Sequence, residues 1–166
     1  MLFRSVAGKL PLDKNGVYFV LSSNDVTQEQ FCSGYCGWHS YVSIGSTDVK
    51  VAFVGDSSNC LGACTAKFGS TSVGITVSPN GDWAADGMVS ILAHELTETI
   101  TDPYNDKAAW FDKNGWENAD KCAWTFGATY CTSSGARANV RLNGRDYLIQ
   151  QNWVINNDCG RCATSP

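Results

Sequence analysis

Clustered positive charge is missing from this sequence. Lysine and arginine together number 12 in 166 residues, against 16 acidic residues, for a formal net charge of −4. A nucleic-acid or anionic-membrane partner needs a basic face, so neither is expected. Long apolar runs are missing as well, and none approaches the roughly 18 residues of a membrane-spanning helix. Proline is scarce, at 4, and charged residues make up only 17%. That excludes the proline- and charge-rich composition of a disordered chain. No Asn-x-Ser/Thr acceptor for N-glycosylation occurs. The opening "MLFRSVAGKLPLDKNG" lacks the apolar core of a secretory signal peptide. A mature or truncated chain is therefore expected, one domain over 1–166 and monomeric.

Cysteine is plentiful. Eight stand at Cys32, Cys36, Cys60, Cys64, Cys122, Cys131, Cys159 and Cys162. An even number in short-spaced pairs points to four disulfides formed in an oxidising compartment. The rival reading is thiolate-held zinc, since "CSGYC", "CLGAC" and "CGRC" also have the spacing of zinc ligands. Eight cysteines allow 105 pairings, so spacing alone does not give the connectivity.

Strand signals occur at 16–23, 49–57 and 72–82, while "FCSGYCGWHSYVSIG" fits a strand or an ordered loop. The pattern changes period at "DWAADGMVSILAHELTETITDP". Met88, Leu92, Leu96 and Ile100 recur every fourth residue, which predicts a helix over 84–102 with that stripe on the core. Asp82 or Asp86 caps its start and Pro103 ends it. A short helix is expected at "WENADKCAW", and a hairpin about Asn143-Gly144 within 138–154. The tail after Asn156 reads as loop pinned by Cys159 and Cys162.

His94 and Glu98 lie four apart, on one helix face, where two ligands can grip one ion. Glu95 is rotated by about 100°. It can sit beside the ion without binding it, where a base for metal-bound water belongs. A third ligand is expected from Glu117, with Asp120 one turn further on to brace the His94 ring. Asp102 braces the site or caps the helix. His39 is a pocket residue or transition-state donor, or else a packed or surface histidine. Without the second segment, His94, Glu95 and Glu98 would read equally well as a solvated helix face.

"HELTE…TD" followed by "ENAD" resembles the thermolysin-like gluzincins over residues 94–120. The resemblance implies His94 and Glu117 as ligands, Glu95 as base and Asp120 as brace. It breaks at Glu98, which stands where that family has histidine. Two carboxylates and one imidazole carry one more negative charge than one carboxylate and two imidazoles. A bound zinc would be a weaker Lewis acid, and harder ions become more suitable.

The whole chain also resembles the phosphate-induced protein/EXORDIUM-like family. The carrying segments are "LPLDKNGVYFVLSSNDVTQEQFCSGYCGWHS", "VKVAFVGDSSNCLGAC", "SPNGDWAADGMVSILAHELTETITDPYNDKAAWFD" and "KCAW". That resemblance implies a secreted or cell-wall protein, in a family without an established enzymatic activity. The combined expectation is an α+β, zincin-like, disulfide-stapled domain with a twisted mixed sheet packed on the metal-site helix. It would hold one divalent metal, zinc first among candidates, and act as a hydrolase on a peptide. The alternative is a non-enzymatic cell-wall module with a structural metal, binding a glycan or receptor.

Overall fold

A computed structural model describes residues 10–66, 77–107, 109–155 and 160–164. The main sheet has the order β1-β3-β2. β1 (Val17–Leu21) runs parallel to β3 (Thr47–Val54), and β2 (Gly37–Ile44) runs antiparallel to it. The sheet is therefore mixed, as expected. β3 is central because its sequence suits burial on both faces: Val49, Val51, Ala52, Phe53 and Val54 are all buried.

Side chains alternate along β2, so Gly37 and His39 share one face and Trp38 points to the other. On Trp38's side an aromatic cluster forms about Phe53. Trp38 stacks on it at 5.9 Å, and Phe31 and Tyr35 meet it edge-on at 5.8 and 6.4 Å. On the Gly37 side lies the long helix.

A short helix, α1 (Leu61–Cys64), precedes the long helix α2 (Trp83–Thr101). Of the two candidate caps it is Asp82 that acts, accepting from the Ala84 and Ala85 amides at 3.0 and 3.1 Å. Asp86 instead holds the preceding turn through Ser78 and Asn80. The orientation of α2 overturns one expectation. The apolar stripe is not the buried one: Leu96 is 37% and Ile100 69% exposed. The buried face is Ala84, Gly87, Ser90, Ile91, Glu95, Glu98 and Thr99. Small residues on that face let the helix approach closely. A Cβ on Gly37 would lie 2.6 Å from Ile91 Cγ2, and one on Gly87 would lie 2.9 Å from the Cys64 carbonyl oxygen. The carboxylates on the same face find partners in the sheet, which lets them be buried at all.

The C-terminal part is built from two-stranded ribbons: β4 (Tyr130–Cys131) with β5 (Arg137–Ala138), β6 (Val140–Leu142) with β7 (Arg145–Tyr147), and β8 (Asn152–Ile155) with β9 (Gly160–Ala163). The β6–β7 turn is the expected Asn143-Gly144, with φ of 50° and 79°. Positive φ at both central residues is what a type I′ hairpin turn requires. The tail is not all loop, because β9 pairs with β8 in register and Cys162 is bridged to Cys122. "WENADKCAW" forms only a 3₁₀ turn at Asp120–Cys122, so Glu117 precedes a turn and does not open a helix. Trp124, at φ 58°, turns the chain away directly afterwards. The first part of the strand expected over 72–82, residues 72–76, lies outside the described residues; its described part, 77–82, is a turn closed by Gly81 N–H to the Ser78 carbonyl.

Three disulfides form: Cys32–Cys60, Cys36–Cys64 and Cys122–Cys162. This settles six cysteines as bridged and not zinc-held. Cys131 is exposed without a sulfur partner among the described residues, and Cys159 lies outside them.

Candidate metal centre

α2, β2 and the turn at 117–122 converge on one cavity of ≈ 520 Å³. α2 contributes His94, Glu95 and Glu98, and β2 contributes His39. The turn contributes Glu117 and Asp120. Asp102, at the C-cap of α2, reaches the same cluster and is 0% exposed. Glu95 and Glu98 are 4% and 3% exposed, so they are not a solvated helix face.

Each element is held in place for a local reason. The Asp120 amide donates to Glu98 Oε1 at 3.1 Å, tying the turn to the helix. Asn118 and Trp153 exchange two hydrogen bonds, and the Cys122–Cys162 bridge fixes the turn from the far side. Lys121 pairs with Asp112 at 2.7 Å, ordering the preceding loop. Asp102 N–H donates to the Glu98 carbonyl, and Pro103 prevents further helix. On the opposite wall, Cys32–Cys60 and Cys36–Cys64 pin residues 32–36. Two residues lining the cavity, Cys32 and Trp124, hold left-handed backbone at φ 72° and 58°. Strain of this kind costs of order 1–3 kcal/mol per residue and concentrates at functional sites.

The side chains fall into two groups. In one, His94 Nε2 lies 3.0 Å from Glu98 Oε1 and 3.5 Å from Asp120 Oδ1. In the other, His39 Nε2 lies 3.4 Å from Glu117 Oε1, and ligand atoms of His39, Asp102 and Glu117 lie within 4.8 Å of one another. His39 joins the groups, its Nδ1 being 3.5 Å from Glu95 Oε2 and 3.6 Å from Glu98 Oε2. Of the residues expected as ligands, His94 and Glu98 are brought together. The carboxylate closing on them is Asp120, on the same ring nitrogen that Glu98 faces, while Glu117 faces His39.

The electrostatics are severe. Five carboxylates surround two imidazoles, and no lysine or arginine among the described residues lines the cavity. Burial works to lower the His94 pKa, but Asp120 and Glu98 outweigh it and push it up to about 10. Burial likewise opposes protonation of His39, and Glu95, Glu117 and Glu98 together raise its pKa. Burial raises Glu95. Burial and the neighbouring Glu98 charge raise Glu117 to about 7. His94 Nδ1, Glu117 Oε1 and both Asp102 oxygens are buried with no hydrogen-bond partner. Buried charges without partners are costly. Carboxylate and imidazole donors around such orphans fit a divalent cation.

His39 was not singled out as a ligand from the sequence. The signal was present in β2: a histidine two residues from a glycine, and so on the same strand face as it.

Fold and site together define a class: an α+β domain, bridged by disulfides, that encloses a carboxylate–imidazole cluster between helix, sheet and turn. The chain belongs to the phosphate-induced protein 1 family, whose conserved region matches residues 2–165. Protein EXORDIUM-like 3 of Arabidopsis thaliana is 35% identical over 165 residues, covering 87% of this chain and 48% of its own length. Protein EXORDIUM-like 5 of the same plant is 30% identical, over 95% of this chain and 49% of its own. Protein PHOSPHATE-INDUCED 1 of Nicotiana tabacum is 34% identical, over 83% and 45%. The chain thus spans about half the length of the curated relatives it matches. Their names state no reaction and no cofactor. No solved structure gives a significant match.

Proposed function

We propose that the protein is a secreted, divalent-metal-dependent hydrolase with a zincin-like site. The observation that carries this reading is the cluster itself: five acidic side chains on two imidazoles, largely buried, without a neutralising lysine or arginine among the described residues. A cation is the economical way to make such a cluster stable. His94, Glu98 and Asp120 would hold it, zinc being the first candidate. An ion bound there supplies Lewis acidity toward a carbonyl and a more acidic water.

The chain's own residues do the rest. Glu95 lines the cavity beside the ligands, and burial raises its pKa, which makes it a stronger proton acceptor. Glu98 accepts the Asp120 amide and so keeps the turn aligned with the helix. Ile91 and Trp124 line the cavity and offer apolar surface to a substrate side chain. A peptide is the substrate class that this combination suits. The three disulfides agree with maturation in an oxidising compartment.

The test uses purified protein, metal analysis and digestion of a mixed peptide library. Wild type should carry divalent metal and cleave, and His94→Ala should lose the ion held at His94 and, with it, cleavage. Glu95→Gln should keep the metal and lose about a hundredfold or more in turnover, the scale of general-base loss. Metal bound normally with wild type and Glu95→Gln equally inert would replace this reading with a structural metal in a binding module.

A further inference from the structure

The metal reading above leaves part of the cavity unexplained. His94, Glu98 and Asp120 form a complete three-donor set, and none of them is His39, Asp102 or Glu117. Those three make a second set, whose ligand atoms also lie within 4.8 Å of one another. This is more than a cluster of acids. Asp102 is 0% exposed, and neither of its carboxylate oxygens has a hydrogen-bond partner. Glu117 Oε1 is also buried and unpartnered. Unpaired carboxylate oxygens at that depth need a counter-charge, and His39 is the only cationic group among the described residues that faces them.

Charge points the same way. One divalent ion in the first set leaves the five carboxylates strongly under-compensated when both imidazoles are neutral. Two divalent ions leave a single formal negative charge. The surroundings of His39 also suit a ligand. With Nε2 on an ion, the Nδ1–H faces Glu95 Oε2 at 3.5 Å and Glu98 Oε2 at 3.6 Å. A metal-bound imidazole that donates its other N–H to a carboxylate is held in tautomer and orientation. In this structure Nε2 donates to the Asp102 carbonyl oxygen at 3.0 Å, and an ion at Nε2 would displace that proton.

We propose that the cavity holds two divalent cations, one on His94, Glu98 and Asp120, the other on His39, Asp102 and Glu117. The proposal rests on the metal reading of the preceding subsection. Glu98 links the two sites, meeting the first ion through Oε1 and the His39 ring through Oε2.

Stoichiometry tests it independently of activity. Protein stripped with chelator is titrated with Zn²⁺ and with Mn²⁺ by calorimetry, and bound metal is counted after gel filtration. Two equivalents per chain are expected. Glu117→Gln and Asp102→Asn, shown folded by circular dichroism, should each carry one, and His94→Ala should lose the other. One equivalent in wild type overturns the second ion while sparing the first. None overturns both readings. Two equivalents retained by folded Glu117→Gln would show that the second set is not the second site. The wild-type count decides the matter even where a variant does not fold.

Discussion

At the scale of single residues, the site is a problem of proton and metal competition. In the metal-free protein two raised pKa values act in the same direction. Glu117 sits at about 7 in the folded state against 4.5 unfolded, and His94 at about 10 against 6.5. A folded pKa above the unfolded one means that folding takes up protons. Each contribution is fully present below the unfolded pKa and is lost as pH rises through the folded one. Metal-free protein should therefore lose stability in two stages, from pH 4.5 to about 7 and from 6.5 to about 10. Metal-loaded protein should behave oppositely, because ions displace protons from these ligands and bind more tightly as pH rises. Denaturant midpoints across pH, with chelator and with excess Zn²⁺, measure both curves. Glu117→Gln should shrink the lower stage, to which Glu95, also raised by burial, contributes as well. Chelated protein that gains stability between pH 6 and 9 would contradict the assignment.

At the scale of elements, the decisive contact is between α2 and β2. Gly37 has ordinary backbone conformation; what it supplies is the absence of a side chain. A Cβ there would lie 2.6 Å from Ile91 Cγ2, 2.7 Å from Glu95 Oε1 and 2.9 Å from the Phe53 carbonyl oxygen. Gly37→Ala should therefore cost about 1–3 kcal/mol, the usual range for overpacking. It should also weaken metal binding, since Glu95 and the helix behind it must move. Urea melts combined with Zn²⁺ titration read the two effects together. An alanine variant unchanged in both would mean that the helix can back away freely. The contact also explains why the helix was easy to find in the sequence and its buried face was not. Spacing and the Asp82 cap define the helix locally. Which face turns inward depends on small residues meeting a glycine on a strand far away in sequence, and on carboxylates meeting His39.

At the scale of the whole molecule, disulfides hold the cavity walls. Cys32–Cys60 and Cys36–Cys64 each span 28 residues and fasten one wall. Cys122–Cys162 spans 40 and fastens the turn that carries Glu117 and Asp120. Replacing Cys122 and Cys162 together by serine should lower unfolding free energy by about 2–5 kcal/mol. Metal affinity should fall as well, because a looser turn no longer presents its carboxylates in place. Calorimetry under both conditions checks the coupling; unchanged affinity in the destabilised variant would show that the Asp120 amide bond to Glu98 suffices.

The chain order of residues determined a good deal by itself. Local rules fixed β1, β3, the extent of α2 and the β6–β7 turn, because each depends on neighbours a few residues apart. They also placed His94 and Glu98 one turn apart with Glu95 rotated beside them, and brought forward Glu117 and Asp120 by spacing. Tertiary structure alone decided that His39 enters the cluster, that Asp102 is buried at a helix end, and that Glu117 turns to His39 while Asp120 turns to His94. It also decided that the apolar stripe faces outward, and it paired six cysteines out of the possible combinations. The physical reason is common to these cases. Burial and long-range pairing depend on which surfaces meet, and the meeting of α2 with β2 and the 117–122 turn is written in residues separated by dozens of positions.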